Sequence, residues 1–214
     1  MSQLANISAL RTDYRKAALD EASVGQHPIP FFEKWFLEAC AAEVAEANAM
    51  TLATASKEGI PHARMVLLKG VENNGFTFFT NYDSNKGHDL QENPHAALVF
   101  YWKELERQVR IEGRIERLSD AASDEYFHSR PEGSRLGAWA SPQSKIIPNR
   151  DVLEANYNKY QQQFAGHIPR PSHWGGFVLL PSCIEFWQGR SNRMHDRVVF
   201  INESGAWKKH RLAP

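Results

Sequence analysis

Three side chains able to carry positive charge, Arg193, His195 and Arg197, stand at alternate positions within the run I-E-F-W-Q-G-R-S-N-R-M-H-D-R from Ile184 to Arg197. In an extended strand, residues i, i+2 and i+4 share one face, so the three would project together with Met194 and Asp196 behind them. Cations gathered this closely repel one another unless an anion lies nearby. The spacing therefore suggests a phosphorylated or otherwise electron-rich ligand at this strand, although on spacing alone a solvated edge strand is the slightly better account. Other candidate groups are scattered along the chain. Arg64 and Lys69 bracket the apolar run M-V-L-L, where a buried strand could present a cation at each end, or two charges could simply snorkel at a sheet edge. Lys86 falls in the first turn of a short helix capped by Asp83 or Ser84, where free backbone N–H groups already favour an anion.

A second grip is suggested by Tyr126 and Arg130, four residues apart on one helical face, with Ser134 just beyond the end of that helix. A guanidinium flanked by two hydroxyls suits a phosphate. Gln108 sits on the polar face of a half-buried strand, and its amide could meet the edge of a flat heterocycle or merely water. Gln143 and Ser144 occupy a loop of small residues that allows close backbone approach. Arg11 and Tyr14 lie in an N-terminal arm, which by itself reads as a mobile terminus.

The elements that must position these groups follow from periodicity. A three-to-four spacing predicts a short helix over residues 4 to 19, and Phe32, Trp35, Phe36 and Ala39 predict a second from Phe31 to about Ala47. M-T-L-A-T-A, H-A-R-M-V-L-L-K and F-T-F-F-T, separated by K-E-G-I-P and E-N-N-G, read as an antiparallel meander. A-A-L-V-F-Y-W and the alternating stretch through Val109, Ile111 and Ile115 add two strands. Helices are expected from Ser119 to about Arg130 and from Asp151 to Phe164. Phe177 to Leu180, Ile184 to Gln188, Arg197 to Ile201 and Trp207 to Arg211 close the chain as strands. About eight strands with three or four helices, and no βαβ rhythm, point to a mainly β (α+β) architecture: a closed or partly open antiparallel barrel with helices attached.

Composition narrows the chemistry. The 214 residues carry 25 Lys+Arg against 25 Asp+Glu, so no general field draws the chain to nucleic acid or an anionic membrane, and any anion site is local. Cys40 and Cys183 are far apart in sequence and form no metal-binding spacing, which favours a reducing, cytoplasmic setting. No signal peptide or membrane-length apolar run is evident. G-x-G-x-x-G, Walker, G-x-S-x-G and H-E-x-x-H patterns are absent, no metal site is expected, and the carboxylates show no evident pairing. What remains is a set of cations with aromatics and amides among them, suited to phosphates carried on flat rings.

Six segments, taken in order, resemble the pyridoxamine 5′-phosphate oxidase family: R-M-V-L-L-K (64 to 69), F-T-N-Y-D-S-N-K-G (79 to 87), E-R-Q-V-R-I-E-G (106 to 113), the run from Tyr126 to Ser144, W-G-G-F (174 to 177), and Ile184 to Arg197. The resemblance extends from the N-terminal arm to the closing R-L-A-P. It implies an FMN-binding split β-barrel, with FMN at the interface of a homodimer. Residues 1–30 would be an arm or lid, and 31–214 one domain that includes the C-terminal dimerisation and active-site strands. By the same resemblance Arg64 and Lys86 would hold the FMN phosphate with Gln143 and Ser144. Met65, Val66, Leu67, Leu68 and Lys69 would line the isoalloxazine with Phe79, Thr80, Gln108, Trp187 and Arg197. Lys69, Tyr126, Arg130 and Ser134 would grip the substrate phosphate. Arg193, Met194 and His195 would lie at the substrate ring, with Arg193 and His195 catalytic, and Arg11, Thr12, Asp13 and Tyr14 would fold over it. The first strand is thereby divided between substrate and flavin, and the phosphates move elsewhere. Family members often carry a cation where this chain has Asn85, which is kept as a contact through its amide or backbone. The implied reaction oxidises pyridoxamine or pyridoxine 5′-phosphate to pyridoxal 5′-phosphate, using dioxygen and releasing hydrogen peroxide. A split-barrel flavin reductase, or a non-catalytic FMN- or pyridoxal-phosphate-binding protein, are the alternatives.

Overall fold

The computed structural model describes residues 12–214. Nine strands and five α-helices are present among them: α1 Pro28–Ala41, β1 Ala49–Ala55, β2 Pro61–Leu67, β3 Gly70–Glu72, β4 Gly75–Asn81, α2 Asn85–Glu92, β5 His95–Trp102, β6 Arg107–Arg117, α3 Asp120–Ser129, α4 Glu132–Ala140, α5 Asp151–Phe164, β7 Trp174–Gln188, β8 Asp196–Glu203 and β9 Ala206–Leu212. The sheet runs β2-β1-β5-β6-β7-β4-β3, with β8 on β7 and β9 on β8. The pairings of β1 with β2, β3 with β4, β4 with β7, β7 with β8 and β8 with β9 are antiparallel.

Contacts divide the chain into two compact units, with β5, β6 and β7 each contributing residues to both. One comprises the segment up to Ala47 with Val99–Ile111 and Cys183–Pro214. Its core is aromatic: Phe31 packs edge-on against Phe186 at 4.8 Å, Trp35 against Phe186 at 5.4 Å, and Phe32 against Phe100 at 5.2 Å. Trp102, 1% exposed, donates its indole N–H to the Ala47 carbonyl, so the polar end of the ring is satisfied while the rest is buried. The other unit comprises Asn48–Leu98 and Glu112–Ser182. There Phe127, Leu136, Ile168 and Trp174 form a buried cluster under α3, α4 and α5.

Several expectations need correction. Residues 12–19 are not helical, and the remainder of the expected 4–19 helix, residues 4–11, lies outside the described residues. The second helix starts at Pro28, whose missing N–H costs nothing in a first turn, and stops at Ala41 rather than Ala47. Phe177 to Leu180 and Ile184 to Gln188 belong to one 15-residue strand. Pro181 is tolerated there because it falls between two pairings, β4 on Trp174–Leu179 and β8 on Cys183–Gln188. Ser134 is not beyond a helix end but inside an unforeseen helix, α4, which begins directly after Pro131. The shared face of Arg193, His195 and Arg197 does not exist: Ser191–Arg193 form a 3₁₀ turn with Asn192 and Arg193 at positive φ, and β8 begins only at Asp196. No helix among the described residues is long and apolar enough to cross a membrane.

Candidate functional site

The strongest concentration of the expected residues is a cleft of about 560 Å³ in the second unit. Strand β2 supplies one wall. It lies at the end of the sheet order, so Met65 and Leu67 remain exposed while Arg64 and Val66 are half-buried. Leu68, 6% exposed, is absent from the lining, whereas Lys69 rejoins it. Arg64 Nη1 donates to the Leu52 carbonyl at 3.1 Å and to Thr54 Oγ1 at 2.8 Å. Burial pushes the Arg64 pKa down, with Asp89 opposing the shift.

Lys86 approaches from the start of α2. Ser84 caps that helix by accepting from the Gly87 N–H, and a Cβ on Gly87 would fall 2.1 Å from the Tyr82 carbonyl oxygen. Glycine is thus required for the turn to close. Lys86 Nζ donates to Gln143 Oε1 at 2.9 Å and Ser84 Oγ at 3.2 Å. Burial, followed by the charge of Arg64, pushes its pKa down to about 8. Two desolvated cations that disfavour one another form a site whose electrostatic cost an anion relieves. The Asn85 backbone N–H donates to Ser144 Oγ at 3.3 Å, and Ser144 sits at φ 69°. Thr80 Oγ1 lies 3.5 Å from Gln143 Oε1.

The cleft also takes in Lys69, Tyr126, Arg130 and Ser134. Tyr126 stacks on Phe79 at 3.9 Å, and Phe79 on Trp174 at 5.5 Å. The Arg130 guanidinium lies over Trp174 at 4.5 Å, yet its Nη1 is buried with no hydrogen-bond partner among the described residues. Burial lowers the Arg130 pKa, with Tyr126 opposing. A buried guanidinium N–H without an acceptor is costly unless a ligand completes it. The donor set therefore fits two phosphate groups, and the aromatic and aliphatic walls fit flat rings.

The remaining expected residues lie in the first unit. Trp187 near the end of β7, His195 and Tyr14 form a cluster, with Trp187 to His195 at 4.6 Å and Tyr14 to Trp187 at 5.7 Å. The Arg190 N–H donates to His195 Nδ1 at 3.1 Å. That bond requires an unprotonated Nδ1, so the neutral ring carries its proton on Nε2. Arg197 is bound through Nε and Nη2 to both oxygens of Glu185, at 2.8 and 3.1 Å, and its pKa is raised first by that pairing. Arg193 and Met194 are exposed, and Gln108 is half-buried on β6. Thr12 and Asp13 are exposed, with Asp13 paired to Arg15; Arg11 lies outside the described residues.

Two carboxylates not anticipated from sequence organise this unit. Glu185, 6% exposed, is the counter-ion of Arg197 and also meets Arg110 at 3.2 Å. Glu106, 7% exposed, accepts the Arg15 and Lys16 N–H groups at 2.9 Å each, which anchors the arm beside Tyr14. Their signal was present only as acidic residues within otherwise half-buried segments.

Comparison with known proteins decides the family. The profile described as "Pyridoxamine 5'-phosphate oxidase" matches residues 36–164, and that of the "Pyridoxine 5'-phosphate oxidase C-terminal dimerisation region" matches 174–214. The chain belongs to the pyridoxamine 5′-phosphate oxidase family. It is 56% identical over 209 residues to a Pyridoxine/pyridoxamine 5'-phosphate oxidase of Polynucleobacter asymbioticus, covering 98% of this chain and 99% of the relative. A protein of the same name from Cyanothece sp. is 56% identical over 210 residues, covering 98% and 99%. Among solved structures, PhzG from Burkholderia lata 383, in complex with tetrahydrophenazine-1-carboxylic acid, superposes with a TM-score of 0.87 at 29% identity, covering 92% of this chain and 98% of that one. The antiparallel sheet with its helices is accordingly the family's split β-barrel, and the chain is an oxidoreductase of a flavin-binding family.

Proposed function

We propose that this enzyme oxidises pyridoxamine 5′-phosphate, with water and dioxygen, to pyridoxal 5′-phosphate, ammonia and hydrogen peroxide. Pyridoxine 5′-phosphate with dioxygen gives the same aldehyde and peroxide. The working form is a homodimer that uses FMN. The observation that carries this reading is one cleft offering two cation sets, Arg64 with Lys86 and Lys69 with Arg130, the latter with a buried N–H awaiting an acceptor. The names of relatives 56% identical over nearly the whole chain support the substrate class.

In this reading Arg64, Lys86, Gln143 and Ser144 hold the FMN phosphate, and Asn85 contributes through its side-chain amide, its backbone N–H being engaged by Ser144 Oγ. Met65 to Lys69, Phe79, Thr80, Gln108, Trp187 and Arg197 are assigned to the ring system, with Leu68 contributing through its main chain. Bound FMN supplies a hydride acceptor for the substrate 4′ carbon and passes the electron pair to dioxygen. Lys69, Tyr126, Arg130 and Ser134 fix the substrate phosphate, so binding energy remote from the reacting carbon holds the ring in place. Arg193 brings positive charge to that ring. His195 acts as an orienting donor through Nε2, because its Nδ1 is already engaged by the Arg190 N–H. By the family resemblance Thr12, Asp13 and Tyr14 are assigned to a cover over the substrate, and Met194 to the substrate ring beside Arg193 and His195.

Purified protein is expected to be yellow with about one FMN per chain, and pyridoxamine 5′-phosphate added without oxygen should bleach it. Peroxide release with that substrate but not with unphosphorylated pyridoxamine is the decisive comparison. Equal turnover of the two would remove the role given to Arg130.

A further inference from the structure

Behind Arg64 lies a chain of hydrogen bonds that the reading above does not use. Leu52 and Thr54 on β1 stand opposite Arg64 and His62 on β2, so these four residues form one patch of the ladder. Asp89, from α2, inserts a carboxylate that is only 6% exposed. Its Oδ2 accepts from Thr54 Oγ1 at 2.5 Å, lies 2.9 Å from His62 Nδ1, and is 3.8 Å from Arg64 Nη2. Thr54 itself is 3% exposed.

A threonine hydroxyl has a single proton. Here that proton is committed to Asp89, which turns the oxygen lone pairs toward Arg64, and Arg64 Nη1 donates into them at 2.8 Å. The second N–H of Nη1 is taken by the Leu52 carbonyl at 3.1 Å. Both protons on Nη1 are thus used. Nε and Nη2 make no hydrogen bond among the described residues, and Nη2 is too far from Asp89 for one. A guanidinium held by one corner in this way presents its opposite edge in a fixed plane, the geometry that meets two phosphate oxygens at once. Asp89 also opposes the lowering of the Arg64 pKa that burial causes.

We propose that Thr54 and Asp89, braced by His62, are positioning residues that aim Arg64 at the phosphate of the bound flavin and so set the preference for phosphorylated over unphosphorylated flavin. The inference rests on the assignment of Arg64 to the FMN phosphate. Removing Asp89 takes a negative charge away from the anion site, so a purely electrostatic view requires tighter FMN binding. The relay requires the opposite.

The test is fluorescence titration of the flavin-depleted full chain with FMN and with riboflavin, which lacks the phosphate. Thr54→Val keeps the shape and removes both hydrogen bonds. It should weaken FMN about 10-fold, the value of one charge-assisted hydrogen bond, with riboflavin changed less than about twofold, and Thr54→Ser should restore FMN. Asp89→Leu should also weaken FMN selectively, and it serves if Thr54→Val does not fold. Equal weakening of both flavins would reduce the network to a staple between α2 and β1, and tighter FMN in Asp89→Leu would leave only its charge. Both results overturn the relay while the FMN assignment stands. If the wild-type protein binds riboflavin as well as FMN, the phosphate assignment of Arg64 fails and the relay falls with it.

Discussion

Lys86 is the residue of the proposed phosphate site at which charge and burial meet most directly. In the free protein its pKa is pushed down to about 8, by burial first and by Arg64 second. A phosphate beside it favours the charged form, so the pKa rises on binding. The sign of the pH dependence follows from this. Below about pH 8 the amine is protonated in both states and contributes no pH dependence; above it, binding must draw a proton from solution. FMN affinity should then fall by up to about 10-fold per pH unit until the bound-state pKa is reached. Measured between about pH 7 and 9.5, wild type should show this decline and Lys86→Arg should flatten it, since a guanidinium stays charged. Parallel declines in the two would assign the titration to another group. Arg193 tests the other side of the reaction. Arg193→Leu should lower kcat/KM about 100-fold or more, as loss of a donor aimed at developing charge commonly does, while FMN affinity stays within about twofold. Flavin loss with specific activity recovered on adding FMN would contradict the assignment. Sequence showed these cations because charged residues beside apolar runs are conspicuous. It did not show Glu185, Glu106 or Asp89 in their roles, because each acts on a group distant in sequence, such as the Arg15 and Lys16 amides 90 or more residues from Glu106.

At the scale of elements, what was legible depended on whether local signals stood alone. Helix α5 was found from end to end, and α2 and α3 nearly so; Ser84 and Ser119 cap α2 and α3, whereas α5 begins after Arg150 without a side-chain cap. Helix α4 was missed: Pro131 and Gly133 look like the close of a helix, but they open a new one. The alternation of Arg193, His195 and Arg197 misled for a related reason. Period two is necessary for a strand and not sufficient, and here Asn192 and Arg193 at positive φ break it before β8 begins. Gly87 sits where α2 leaves no room for a side chain. Its absent side chain lets the start of α2 press on the Tyr82 carbonyl, 2.1 Å from where a Cβ would stand. That oxygen belongs to backbone and cannot swing aside. Gly87→Ala should therefore cost about 1–3 kcal/mol and also displace Lys86, one position earlier. Thermal melting with and without FMN separates the two effects: a lower Tm combined with unchanged FMN affinity would mean that the turn can relax without moving Lys86.

For the whole molecule, the balanced charge of 25 basic against 25 acidic residues hid a local excess that is unfavourable in the free protein. Arg64, Lys86 and Arg130 all have pKa values pushed down by burial, so gathering them in the folded cleft works against its own electrostatics. Ligand binding should return that stability. Any ligand bound only by the folded state adds RT ln(1 + [L]/Kd), about 2.7 kcal/mol at 100 times Kd. For a chain of this length each kcal/mol moves Tm by about 2–4 °C, so saturating FMN should raise Tm by about 5–10 °C. Riboflavin at the same multiple of its own Kd gives the same free energy. At equal concentration, however, it should give a much smaller shift, because the phosphate cations contribute nothing to it. Adding salt should narrow that difference, since screening acts on the phosphate contacts and not on ring burial. A shift with FMN no larger than with riboflavin at equal concentration, and indifferent to salt, would show that the buried cations of the cleft do not meet the flavin phosphate.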